Sequence, residues 1–173
     1  MTEREKELLQ KVNDNFKELS LLKNYNFEKY LYSLYHHTSQ LIYFYRDLAE
    51  NKRADKINYN LKMETKIHTL IYVNIGRGFP KELMDGHWCY VVKDYKSKLL
   101  VIPSTSIKTD SRFNKNYDMD IESIKNKKIF KSRLCITEMR CIDKQRIDIR
   151  KGYSNVITDR SEILSFIYKN ILD

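Results

Sequence analysis

Apolar positions along this chain change period once. In the first third they recur at helical spacing. Leu8, Leu9, Val12, Phe16 and Leu19 make one stripe. Phe27, Tyr30, Leu31, Leu34, Tyr35, Leu41, Ile42, Tyr45 and Leu48 make a second. That spacing predicts two amphipathic helices. Thr2 followed by Glu5 offers a capping box to the first. The stretch Lys23 to Asn26 is a poor helix interior and separates the two, while the polar run Asn51 to Asn60 ends the second. Residues 1–66 therefore read as a helical extension, an antiparallel hairpin of two helices.

Beyond Lys66 the pattern turns to β. Ile67 to Ile75, IHTLIYVNI, predicts a strand, and Gly76 to Gly86 a loop whose glycines permit positive φ. The apolar runs Cys89–Val92 and Leu99–Ile102 flank a polar turn, Asp94 to Lys98, and predict a β-hairpin. A polar turn, Pro103-Ser104-Thr105-Ser106, is expected to follow. Tyr117 to Ile121 reads as a short strand, Ser132 to Ile142 as a longer one, and Asp143 to Gly152 as a charged turn. After Thr158-Asp159, the positions Ile163, Leu164, Ile167 and Ile171 mark a closing helix. Two helices, four or five short strands and one helix give an α+β architecture around an antiparallel sheet.

Composition sharpens this division. All four glycines and both prolines lie after residue 75, so the helical third has no breaker. No apolar run approaches the roughly 20 residues of a membrane helix. The N-terminus, MTEREKELL, lacks a secretory apolar region. No membrane partner and a cytoplasmic location are expected. Three cysteines without a C-x-x-C spacing predict reduced, packed thiols, with no disulfide and no zinc. No metal and no cofactor is expected.

The formal net charge is +9. Residues 1–68 carry 12 Lys and Arg against 10 Asp and Glu, whereas residues 69–173 carry 20 against 13. A basic excess held with the strands attracts phosphate backbones or acidic proteins. It also serves plain solubility.

The chemistry gathers at Gly86 to Lys108. His87 precedes the first hairpin run, and Ser104, Thr105 and Ser106 follow the second. Hairpin pairing brings an imidazole and three hydroxyls toward one end of a sheet, which suits acid–base work on a polar substrate. The plain alternative is an ordinary hairpin with a Ser/Thr turn. The glycine loop is not a Walker loop, because no Gly-Lys-Ser/Thr follows. The tyrosines of the second helix read as core or interface rather than base-stacking groups. His36 and His37 point about 100° apart on a helix, so a shared ion is not expected.

Three segments of the second half resemble the MazF/PemK family of toxin endoribonucleases. TLIYVNIGRGF is similar to that family's first strand and mobile loop. The hairpin ending in Ile102-Pro103-Ser104-Thr105-Ser106 is similar to its second and third strands. Glu138-Met139-Arg140-Cys141-Ile142-Asp143-Lys144-Gln145-Arg146-Ile147 is similar to its strand and turn ending in Arg-Thr-Ile-Asp-Lys-x-Arg-Leu. The resemblance covers about residues 67–172 and leaves 1–66 outside. It implies an N-terminal helical hairpin followed, over 67–173, by a small SH3-like barrel of the MazF/PemK type with a C-terminal helix, usually a homodimer.

The activity it implies is toxin-like and metal-independent. Single-stranded RNA, such as an mRNA, is cut by 2′-OH attack on the adjacent phosphorus, leaving 2′,3′-cyclic phosphate and 5′-OH ends. An antitoxin protein would be a partner. Thr105 matches the family's threonine, and Ser106 a serine found in some members. His87 stands where the family has an arginine, and Trp88 where it has a proline. Histidine is the better proton acceptor and the poorer permanent cation, and Arg77 in the preceding loop can supply the missing charge, so the expected catalytic set is His87 as general acid or base, Arg77 as phosphate clamp and Thr105 as hydrogen-bond donor. Ser104, Ser106, Lys108, Trp88 and Glu138 are the expected substrate contacts, although Trp88 also suits a core position and Glu138 sits one residue from the family's acid. The alternative is a catalytically silent RNA- or protein-binding module on the same barrel. In that case residues 1–66 would be a dimerisation or regulatory element.

Overall fold

The computed structural model describes residues 1–49, 63–79 and 81–172. The polar run Asn51–Asn60, expected to end the second helix, lies outside them. The chain divides into two compact units, Met1–Thr38 and Ser39–Asp173.

In the first unit, α1 spans Glu3–Leu21 and carries the expected capping box. The Thr2 amide donates to Glu5 Oε2 at 2.6 Å, and the Glu5 amide donates to Thr2 Oγ1 at 3.2 Å. Helix α2 spans Phe27–Ile42 and starts where Asn26 Oδ1 accepts from the Lys29 amide at 2.8 Å. Phe16 meets Phe27 edge-on at 5.8 Å and Tyr30 at 6.0 Å, which pins one helix to the other. Beyond α2 the chain continues in wider π-helical turns over Tyr43–Ala49.

Among the described residues the second unit has seven strands. They are β1 (Thr69–Asn74), β2 (Gly86–Asp94), β3 (Lys98–Ser106), β4 (Asp118–Lys125), β5 (Lys128–Cys135), β6 (Arg140–Asp143) and β7 (Tyr153–Val156). Every pairing is antiparallel. The order β2-β1-β7-β4-β5-β3, with β3 returning to β2, closes a six-stranded barrel. Strand β6 lies outside the ring, against the first half of β3. Helix α3, Arg160–Ile167, closes the fold and is capped by Asp159 Oδ1, which accepts from the Ser161 amide at 2.6 Å. The protein is thus α+β, a closed antiparallel barrel with helices.

Side-chain alternation explains where the cores sit. Leu70, Tyr90, Ile102, Ile121, Leu134 and Val156 come one from each barrel strand and are buried together with Ile163 and Ile167 of α3. This is the barrel interior. The intervening residues Ile71, Val73, Cys89, Val91, Leu99 and Val101 form a second buried cluster with Ile142 and Ile147. Strands β1 to β3 are therefore apolar on both faces, and they read as continuous runs for that reason.

Four local expectations are corrected. Pro103 to Ser106 is strand, not a turn: Pro103 opposes Cys89 and Ser104 opposes Trp88. Pro103 fits because β6 pairing ends at Val101 and β5 pairing begins at Ser104, so that edge asks no donor of it. Ser132 to Ile142 is not one strand, because a 3₁₀ turn at Ile136–Glu138 interrupts it. That turn lets the chain cross from the barrel core, which holds Ile136, to the second cluster, which holds Ile142. The polar stretch before Lys128 hides a long hairpin, β4–β5, closed by Asn126 and Lys127 at φ 49° and 62°. The described residues form seven strands rather than four or five, and β7 follows Gly152, at φ +63°, beyond the charged turn. Among the described residues no helix is long and apolar enough to cross a membrane.

Candidate functional site on the β2–β3 wall

The hairpin β2–β3 carries most of the residues singled out from sequence. Its register runs from Asp94 against Leu99 to Trp88 against Ser104, and the next residues of β2 and β3 beyond that last pair are His87 and Thr105. By alternation these last two share one face, the outer face of the barrel wall, with Cys89 and Pro103 one pair further along. Trp88, Ser104 and Ser106 face inward. The structure therefore brings His87 and Thr105 together on adjacent strands, both half-buried.

His87 is held at both ring nitrogens. Nδ1 lies 3.1 Å from the Ser104 carbonyl and Nε2 lies 3.0 Å from the Met84 carbonyl. Each ring nitrogen thus faces a backbone carbonyl, which fixes the orientation of the imidazole. Below it, burial pushes the Cys89 thiol up to about 12, against the opposing pull of Arg140. That cysteine is a packed hydrophobe rather than a nucleophile.

The Thr105 hydroxyl meets the Cys135 thiol, which burial raises and that contact lowers. Across β5, Thr105 opposes Arg133. Arg133 is buried and anchored by Asp120, with Nε to Oδ1 at 2.7 Å. It also donates to Ser111 Oγ at 3.2 Å and to the Arg112 carbonyl at 3.0 Å. The Asp120 carboxylate raises its affinity for the proton further.

Arg77 is tied to Asp85 by two bonds, Nε to Oδ1 at 3.1 Å and Nη2 to Oδ2 at 3.2 Å. Backbone bonds also close the loop: the Asp85 amide donates to the Gly76 carbonyl at 2.7 Å, and the Ile75 amide donates to the Asp85 carbonyl at 2.9 Å. The arginine thus braces the approach to His87 instead of standing open to a phosphate. Glu138 is bonded to Arg140. Ser104 Oγ donates to the Trp88 carbonyl at 2.8 Å, a bond that staples the hairpin. Ser106 and Lys108 are exposed at and beyond the end of β3. Trp88 is half-buried, packed on the barrel core.

Sequence reasoning missed Arg133 as a neighbour of Thr105. Only the β3–β5 register puts the two side by side, and nothing in the local sequence encodes that pairing. Around the His87–Thr105 pair each of the three arginines has an acidic partner: Arg77 with Asp85, Arg133 with Asp120 and Arg140 with Glu138. Among the described residues no group of three or more His, Cys, Asp or Glu is placed to hold a metal ion.

No protein-family model matches the chain, and a search of curated proteins finds no similar one.

Proposed function

We propose that the protein is an endoribonuclease of the MazF/PemK kind, acting on single-stranded RNA by 2′-OH attack on the neighbouring phosphorus. The observation that carries this reading is that His87 and Thr105 lie on one face of adjacent strands, one step beyond the Trp88–Ser104 pair. The closed barrel with its terminal helix supports it as architecture.

In this mechanism Thr105 donates a hydrogen bond to a non-bridging phosphate oxygen. His87 takes the 2′-OH proton at one ring nitrogen as the 2′ oxygen bonds phosphorus; the resulting imidazolium stabilises the pentavalent phosphorane and gives a proton to the departing 5′ oxygen. It does so by exchanging one carbonyl partner for the substrate. Arg77 reaches a phosphate only by leaving Asp85, so His87 carries the larger share of the positive charge met by the transition state.

The paired state of the arginines favours one second reading, an RNA-binding barrel without catalysis. One experiment separates the two. End-labelled single-stranded RNA is incubated with purified protein in the presence of EDTA, and the product ends are analysed. Products bearing 2′,3′-cyclic phosphate and 5′-OH ends support the nuclease. RNA that is bound yet uncut after hours supports the silent module, and RNA that is neither bound nor cut removes both.

A further inference from the structure

The inward face of the same barrel holds a feature that the nuclease reading does not use. A cavity of about 310 Å³ opens at one end of the barrel interior. All six barrel strands line it: Leu70 from β1, Trp88 from β2, Ser106 from β3, Ser123 and Lys125 from β4, Phe130 to Ser132 from β5, and Ser154 from β7. In small closed barrels inward side chains fill the interior. Here serines stand at four of the inward positions where larger residues would close it.

Two observations say what the space suits. Ser154 is 4% exposed, and its Oγ is a buried side-chain atom with no hydrogen-bond partner. Such hydroxyls are costly and rarely left unmet, so this one calls for a water or a ligand atom beside it. The mouth is aromatic and cationic. Lys125 Nζ lies 4.6 Å from the centre of the Trp88 ring and donates to the Lys151 carbonyl. Lys151 Nζ lies 4.9 Å from the centre of the Tyr72 ring, which meets Trp88 edge-on at 5.7 Å. Gly86 makes room for this arrangement, since a Cβ there would collide with the Tyr72 ring and hydroxyl. Lys131, at the rim, is shared with Glu122 at 3.1 Å.

We propose that this open end of the barrel binds a single nucleoside phosphate. Its base lies against Trp88 and Phe130, its sugar and base edges meet the serines, and its phosphate meets Lys125. An aromatic platform is sequence-tolerant toward bases. Hydroxyls that both donate and accept fit a ribose or a base edge. The Lys125 ammonium has three donors and gives one to Lys151. The volume stands at the lower end of ligand pockets and admits one nucleotide. The nucleotide is either free or the end of an RNA chain, with the same chemistry in both cases. The site lies on the opposite face of the β2–β3 wall from His87 and Thr105; it includes Trp88 and Ser106, expected as substrate contacts of the nuclease, and loss of nucleotide binding with RNA cleavage retained would separate the two readings.

Trp88 is the only tryptophan and lines this cavity, so its fluorescence reports on binding there. The full chain is titrated with uridine 5′-monophosphate, adenosine 5′-monophosphate, uridine and a 5′-phosphorylated trinucleotide, and calorimetry checks each isotherm. Saturable quenching by a monophosphate is expected, at least about tenfold tighter than by uridine. Lys125→Ala should remove that tenfold preference and leave uridine binding unchanged. Ser154→Ala should weaken nucleotide binding without lowering the unfolding temperature, which a purely structural serine would not do. Saturation by the trinucleotide alone assigns the pocket to RNA ends, and saturation by the free nucleotide assigns it to the small molecule. The proposal is overturned if no nucleotide saturates, or if Lys125→Ala binds monophosphate as tightly as the parent chain.

Discussion

His87 and Ser104 are joined across the hairpin, with imidazole Nδ1 3.1 Å from the serine carbonyl. The contact fixes the ring beside Thr105 and gives the nuclease reading a sharp consequence. His87→Ala should lower RNA cleavage by about 100-fold or more, the usual scale of a lost proton-transfer group. Thr105→Val should lower it by about 100-fold as well, through one lost donor to the phosphorane. Circular dichroism of both variants should match the parent. Undiminished cutting by His87→Ala would take the imidazole out of the mechanism.

The Arg77–Asp85 pair predicts stability rather than activity. Its side chains are 10% and 22% exposed, so removing one leaves the other's charge poorly solvated. Arg77→Ala should cost about 2 kcal/mol in urea unfolding, the scale of a charged hydrogen-bonded contact. Asp85 has φ 71°, a conformation that Asn tolerates. Asp85→Asn should therefore lose the charge without added backbone strain and destabilise by less. Equal stability of parent and Arg77→Ala would contradict the bracing role.

Histidine 68 makes folding sensitive to mild acid. Burial lowers its proton affinity below the ordinary value of 6.5, and Arg160 adds to the effect. Its Nδ1 also bonds the Tyr90 hydroxyl at 2.9 Å. The unfolded chain then binds more protons than the folded one as pH drops below 6.5, so stability falls with pH through that window. His68→Asn, chosen because His68 has φ 65°, should flatten the fall of the unfolding temperature between neutral pH and pH 5. An unchanged slope would assign the effect to other groups.

Thiol chemistry should separate the three cysteines. Cys141 is exposed, Cys135 is half-buried and raised by burial, and Cys89 is pushed up to about 12. A disulfide reagent at mild alkaline pH should show one fast thiol, lost in Cys141→Ser. Cys89 should react only after denaturation. Two fast thiols in the native protein would disagree with the burial described.

The β4–β5 turn offers a gain. Lys127 adopts φ 62°, which L side chains tolerate poorly and glycine does not mind. Lys127→Gly should stabilise by about 1 kcal/mol, and Lys127→Val should destabilise by more. Thermal unfolding of the two variants tests both signs.

Much of the architecture was legible because period and breakers agree. The capping box at Thr2 and Glu5, the gap before Phe27, the hairpin at Cys89–Ile102 and the Asp159 cap all follow from short-range rules. The β4–β5 turn was not, because Asn126-Lys127 lacks the glycine that usually announces a two-residue turn. The break at Ile136–Glu138 was hidden because Leu134, Ile136 and Ile142 look alike in sequence yet serve two different cores. At the candidate site, the convergence of His87 with Thr105 could be read from hairpin pairing. The Asp85 partner of Arg77 and the place of Arg133 depend on loop closure and on distant strands. The cavity needs all six strands and had no sequence signature.

Oil on both sides of a strand pair leaves it without a wet face to say which way round it should sit. Sliding β2 by one position would trade Tyr90 for Cys89 or Val91 and still bury something greasy. What tells the correct alignment from the slipped one is therefore polar and local: the Ser104 hydroxyl on the Trp88 carbonyl, the His87 ring on the Ser104 carbonyl, and the irregular step between Val91 and Lys93. The chemically interesting end of the hairpin doubles as its alignment key, and a substitution there can change where every later residue of the strand points.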